Sequence, residues 1–544
     1  MAGGTSEDDE SKGLGEGIAS LLGMGGGDMT VGGIMKMNMT ESVENRVYLR
    51  TSRGLEKLCQ QATGEDEGMR ERRGGIFGVL AEAVKGVKKN KLELYEKMGL
   101  AAAIACLYEG EKEPLSIRVE ACKVLASVVD DDGGIEDKSN SLVCGDVGII
   151  MSVSGMLEQW VHEGGGGGNI VPAVDLLRDI AKNSKTQAVI SVNFGNVEVM
   201  EGGVHPVGSL VRVMTRKGCT KELRECVVCA LSNLALIESV RETFVLGIQG
   251  NVEGKEGGRL TSAVQALLAT SRAHKTETAA ARVISLGTLM NACVGSGGER
   301  VKSEIVSFGG VPILVALATS AKANVAPGVV KQRAAGLLGR VVTVKGGLEA
   351  MRGEEGGGVK LGRELVRIVL KEGNFEASGG DPVEREREAD TVCQLVRSLA
   401  VCKPSPSGVE GYVSAIVRLL PEVKGDSYAG GKITATSVCR SPLERAPGSA
   451  AGFLANDKTL VANAMKCIIV YLDGGSVDSV LSAGGLERLV CVLANHNSYK
   501  EQAVRKNAAA AIARVVKGSE EGMKRCRELR GMEILVELGR GGKV

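Results

Sequence analysis

Aromatic residues are scarce: Phe, Tyr and Trp together make up 3% of 544 residues, with a single Trp. A core this poor in rings must be built from Ala, Val, Leu, Ile, Met and Cys, a palette that lets helices pack at about 8–10 Å. Excess charge of one sign is also missing. Lys plus Arg (67) and Asp plus Glu (66) leave a net charge of +1, which gives no global attraction to nucleic acid or to an anionic membrane. No run of 18 or more apolar residues exists, so no membrane span is expected. Met1 to Lys12 is small, polar and acidic, unlike a signal or transit peptide. No segment shows the alternating pattern of a half-buried strand.

What is plentiful is glycine, 76 of 544 residues, about twice the average share. Much of it is clustered, as at Gly164 to Gly168 and Gly356 to Gly358, and reads as loop insertions. The 14 cysteines lack a framework spacing. They read as reduced thiols of a cytoplasmic or nuclear protein. A single hydrophobic core stops growing well below this chain length, so the choice lies between several domains and one repeat array. Residues 1–45 are Gly- and Met-rich without sustained period and are expected to form a disordered tail. From Val43 onward, segments of ten to fifteen residues place apolar side chains at i, i+3, i+4 and i+7.

Self-similarity decides between the two architectures. A Gly-Gly-apolar start followed by an apolar helix recurs at Gly202-Gly203-Val204, Gly309-Gly310-Val311 and Gly484-Gly485-Leu486. A single-Gly copy opens at Gly531-Met532, 46 residues after Gly485. Between these starts lie longer helices rich in small residues: Val227 to Ala235, Ala281 to Ala292, Arg333 to Val342, Thr391 to Ala400, Ala464 to Leu472 and Asn507 to Val516. Weaker copies are Phe77 to Val84, Cys122 to Val129 and Val174 to Ala181. Each unit carries an apolar stripe that it cannot cover alone, and stacking neighbours buries it in a continuous core. The pattern predicts an all-α superhelix of about nine repeats over 46–544, with loop insertions near 131–147, 162–169, 250–258 and 421–456.

These phrases resemble the armadillo repeat. Gly309-Gly310-Val311-Pro312-Ile313-Leu314-Val315 is similar to the start of its second helix, and Ala230-Leu231-Ser232-Asn233-Leu234-Ala235 to its third. The resemblance spans roughly residues 70–540 and implies a right-handed α-solenoid that binds a protein partner. Asn233 to Ser239 and Leu289-Met290-Asn291 also resemble phrases of the small-GTPase dissociation stimulators, which implies a Ras- or Rho-type GTPase as partner. Importin-α is a poorer match. Its groove carries Trp one turn before the Asn, where this chain has Cys229 and Gly287, and Trp160 lies in no such phrase.

No motif supports catalysis, and no small-molecule substrate, cofactor or metal is expected. Cys226-Val227-Val228-Cys229 lies inside a predicted helix with no second pair, and reads as packing. Gly430-Gly431-Lys432-Ile433-Thr434 lacks both the glycine and the Ser/Thr of a phosphate loop. His205, before Pro206, reads as local structure, and Glu384 with Glu388 as an ordinary solvated helix face. The candidate site is a surface. Aligning the apolar pair after Asn233 along the third helices gives Glu82, Ser127, Asp179, Asn233, Asn291, Gly339, Ser398, Tyr471 and Arg514 as a ladder, acidic at its start and basic at its end. The expected function is a scaffold or adaptor that binds a protein along this ladder. A GTPase regulator and a chaperone or adaptor for a motor or cytoskeletal protein are the alternatives.

Overall fold

The computed structural model describes residues 42–64, 67–129, 138–165, 169–194, 204–246, 261–352, 356–370, 382–402, 406–423, 439–440, 458–474, 476–494 and 502–540. The expected tail lies outside the described residues up to 41, and the first helix begins at Val43, capped by the Ser42 hydroxyl. The described residues are largely helical, and successive helices pack on one another in series.

Among the described residues, nine helices, called the long helices below, occupy the segments that the sequence singles out. They are α1 (Glu67–Val84), α2 (Leu115–Val128), α3 (Val171–Ile180), α4 (Lys221–Leu234), α5 (Ala279–Ala292), α6 (Gly328–Val341), α7 (Pro382–Leu399), α8 (Lys458–Leu472) and α9 (Gln502–Gly518). The chain divides into two compact units. The first holds Met1–Leu267 with Val294–Gly298, and the second holds Leu268–Cys293 with Glu299–Val544.

In the first unit α1 to α4 pack successively side by side. A second row, Gly54–Ala62, Gly99–Tyr108, Val147–His162 and Pro206–Thr215, runs beside them in the same order. A third row of shorter helices starts at Val43–Thr51 and ends in the 3-10 helix Glu238–Val245. The second unit repeats the plan, with α5 to α9 packed in series. The core is aliphatic throughout: Leu80, Leu125, Leu177 and Leu231 in the first unit, and Leu289, Leu338, Leu395 and Ile512 in the second, are all but fully buried. Such stacking buries the stripe that each unit exposes alone, at roughly 25 cal/mol per Å² of apolar surface.

The recurring glycine phrase has a steric cause. Gly309 and Gly484 adopt left-handed φ angles of 69° and 71° and turn the chain sharply into the second-row helix. The next residue must then approach the preceding helix. A Cβ on Gly310 would lie 2.5 Å from Ile305 Cγ2 and 2.6 Å from its carbonyl oxygen, and one on Gly485 2.6 Å from Val480 Cγ1. Two further copies escape the sequence pattern because a bulkier residue holds the left-handed position. These are Arg53 (φ 61°) before Gly54 and Met98 (φ 64°) before Gly99.

The four expected loop insertions are each corrected or lie at least partly outside the described residues. The stretch 131–147 contains a helix, Lys138–Cys144, that belongs to the third row. In 421–456 the described residues form a two-residue antiparallel pairing, Glu422 with Arg440 and Val423 with Cys439, so a short strand pair exists where none was expected. Residues 250–258 lie outside the described residues, as do 166–168 of the insertion near 162–169. Among the described residues no single helix is long and apolar enough to cross a membrane. The one pair that would qualify together, Gly298–Ser307 and Gly310–Ala318, is bent by 85°.

Candidate interaction face

The long helices carry the ladder positions read from the sequence, and polar side chains there join neighbouring helices. In α3, Arg178 forks onto Asp179, with Nε–Oδ1 at 2.8 Å and Nη2–Oδ2 at 3.0 Å, and also reaches Asp175 at 2.6 Å. The bond to Asp179 holds the guanidinium above its usual pKa, while burial raises the Asp175 carboxyl. Asp179 is thus a structural ion-pair partner as well as a half-exposed group. The Asn233 amide of α4 donates to the Arg178 carbonyl at 2.8 Å and ties two long helices together.

The second unit shows which residue truly repeats the Asn233 contact. Arg340 Nη1 donates to the Met290 carbonyl at 3.1 Å. Met290 precedes Asn291 as Arg178 precedes Asp179, so the ladder position in α6 is Arg340 and not Gly339. Gly339 is buried, and a Cβ there would sit 3.4 Å from Ser398 Oγ and 3.5 Å from Arg397 Cδ. Ser398 is itself fully buried, its hydroxyl donating to the Gln394 carbonyl at 3.1 Å, so it cannot meet a partner. Its neighbour Arg397 is the exposed residue of that turn.

The remaining positions divide in the same way. Glu82 is half-buried and Ser127 turns its hydroxyl back onto the Val124 carbonyl at 2.7 Å. Tyr471 is 7% exposed and lies near Tyr412, at 6.5 Å between ring centroids, in a cavity shared with residues 407–414 and helix Val477–Ser482. Asn291 is half-exposed and its amide makes no hydrogen bond among the described residues. Arg514 is exposed and pairs with Asp473 at 2.9 Å. Sequence reasoning missed Arg397 and Lys466. Both are exposed, on α7 and α8, and neither has an ion-pair partner among the described residues. They lie on neighbouring turns, since Cys467 Sγ donates to the Val396 carbonyl at 3.5 Å.

The chemistry set aside in the sequence has structural explanations. His205 caps helix Pro206–Thr215. Its Nδ1 accepts from the Val207 amide at 3.2 Å, and Nε2 lies 3.1 Å from the Phe194 carbonyl and must carry the proton. Burial lowers its pKa. Burial, then the Asp175 carboxylate, pushes the Cys226 thiol up to about 11, and burial also raises Cys229. Among the described residues no cluster of three His, Cys, Asp or Glu could hold a metal. Twelve cysteines among the described residues are free, but Cys491 is disulfide-bonded, which departs from the expectation that all thiols are reduced.

No protein-family model and no curated protein matches the chain. Among solved structures, an engineered protein shares 16% identity with a TM-score of 0.51, over 93% of this chain and 99% of that one. A structure described as "A conserved phosphorylation switch controls the interaction between cadherin and beta-catenin in vitro and in vivo" shares 14% identity with a TM-score of 0.45, over 95% and 93%. The likeness to the engineered protein is one of fold alone.

Proposed function

We propose that the protein is an interaction scaffold that grips a protein partner with the faces of its long helices. The observation that carries this reading is the set of polar side chains left without internal partners on those helices: Asn291, Arg397 and Lys466. An exposed Arg can fork onto a carboxylate or phosphate, and an unpaired Asn offers a donor and an acceptor to a partner backbone. Several such contacts spread over repeats would sum to useful affinity, with a few of them dominating.

Charge reversal tests it. Arg397→Glu with Lys466→Glu should remove proteins that co-purify with the wild type, with the helical signal and the melting curve unchanged. These two positions serve better than Asp179, whose reversal would also break the pair with Arg178. Capture indifferent to both changes would refute the reading. The narrower reading, a regulator of Ras- or Rho-type GTPases, rests on the phrases around Asn233 and Asn291. Acceleration of GDP release across a panel of such GTPases would support it.

A further inference from the structure

Away from the long-helix faces, the second unit holds a cavity of about 580 Å³. It lies between the turn 407–411, the end of α8 and helix Val477–Ser482. Its walls contain two carboxylates, Glu410 and Asp478, and no lysine, arginine or histidine. Both carboxylates are exposed at the rim, and neither has an ion-pair partner among the described residues. Two tyrosines also line it. Tyr471 (7% exposed) and Tyr412 (2%) stand 6.5 Å apart with their rings tilted by 44°. The Tyr471 hydroxyl makes no hydrogen bond among the described residues, although the side chain is more than nine-tenths buried. Ser414 and Ser479 add acceptors along the walls.

A wall of one charge sign around aromatic rings suits a cation. The carboxylates supply opposite charge, ring faces attract a cation through their quadrupole, and hydroxyls accept its N–H groups. The size lies within the range of pockets that hold small ligands. The charge stands at the solvent rim rather than in the depth, so it would be met as a side chain enters from outside. A free small amine would instead favour a site that closes over it. We propose that this cavity takes a lysine or arginine side chain from an exposed segment of a protein partner. The site is separate from the long-helix faces and stands or falls independently of them.

The test titrates the full chain with three fluorescein-labelled pentapeptides, Gly-Ser-X-Ser-Gly, in which X is lysine, arginine or norleucine, followed by anisotropy. The lysine or the arginine peptide should bind saturably and be displaced by salt, and the norleucine peptide should not bind. Glu410→Gln with Asp478→Asn should weaken binding at least tenfold. Tyr471→Phe, which keeps the ring, should weaken it severalfold. Both carboxylates are exposed and unpaired, so their amides leave the fold intact. Binding of norleucine equal to lysine, an unchanged affinity in the double variant, or no binding by either cationic peptide would overturn the proposal. So would putrescine binding more tightly than either peptide, which would make the ligand a free amine.

Discussion

Replacing the two glycines that open helix Gly310–Ala318 should cost stability for different physical reasons, and asparagine separates them. Gly309 sits at φ 69° with open space for 4 Å around the place a Cβ would take, so alanine there meets only backbone strain. That strain costs about 1–2 kcal/mol for an ordinary L-residue and much less for asparagine, which tolerates left-handed backbone. Gly310 has no such strain. Its problem is space: a Cβ would lie 2.6 Å from the Ile305 carbonyl oxygen, a backbone atom that cannot rotate away, and 2.5 Å from Ile305 Cγ2. Relieving that overlap means shifting the preceding helix, an overpacking cost of about 1–3 kcal/mol. Gly309→Asn should therefore be nearly neutral, Gly309→Ala should cost about 1–2 kcal/mol, and Gly310→Ala and Gly310→Asn should both be clearly destabilising. Repeat arrays need not unfold in one step, so the readout is amide hydrogen exchange across Gly310–Ala318 beside the denaturant midpoint. The converse change, Met98→Gly, should gain about 1 kcal/mol, because it relieves strain at a residue that is 58% exposed and buries little. A neutral Gly310→Ala, or an asparagine at 309 as damaging as alanine, would refute the steric account.

Acidification should weaken the first unit through His205. Its folded pKa is lowered by burial, so the unfolded chain binds the proton first. The stabilising contribution is complete above about pH 6.5 and falls as the pH drops from there towards the lowered value. His205→Asn, which keeps a capping acceptor without titrating, should flatten that part of the pH–stability curve, and an unchanged curve would contradict it. Cys226, with its thiol raised to about 11, should react with iodoacetamide at pH 8 far more slowly than an ordinary exposed cysteine, and rapid labelling read by mass spectrometry would count against the helical packing described. Removing one partner of the buried pair Arg73–Glu113, joined at 2.6 Å, should cost about 3–5 kcal/mol, as with Glu113→Gln followed by urea denaturation.

Periodicity and self-similarity made the long helices legible, since a 3.6-residue stripe of Ala, Leu and Val survives even where the glycine phrase fails. The early second-row starts were harder to see. Arg53 and Met98 hold the left-handed position without glycine, so only Gly54 and Gly99 mark the turn. The ladder on the long helices was legible to within one residue, and one residue was enough to lose it. Each step along a helix rotates the side chain by about 100°, so a shift of one carries a position from the free face into the core. Gly339 and Ser398 fall on the buried side for that reason, while their neighbours, the half-exposed Arg340 and the exposed Arg397, carry the polarity. Tyr471 comes from the same alignment of the apolar pair, and only the packing of Tyr412 near it shows that it turns towards residues 407–414 and helix Val477–Ser482. The short helix Lys138–Cys144 lies hidden beside a Gly- and Asp-rich stretch that masks its weak apolar period.

The central claim is that a protein partner lies along the long helices. Photo-crosslinkers introduced singly at Arg397 and Lys466 on that face, and at Ser303 in helix Gly298–Ser307 and Glu349 in helix Lys345–Ala350, test it directly. The account predicts that one and the same partner protein is trapped from positions 397 and 466 and not from 303 or 349. Trapping from 303 and 349 with none from the long helices would contradict it.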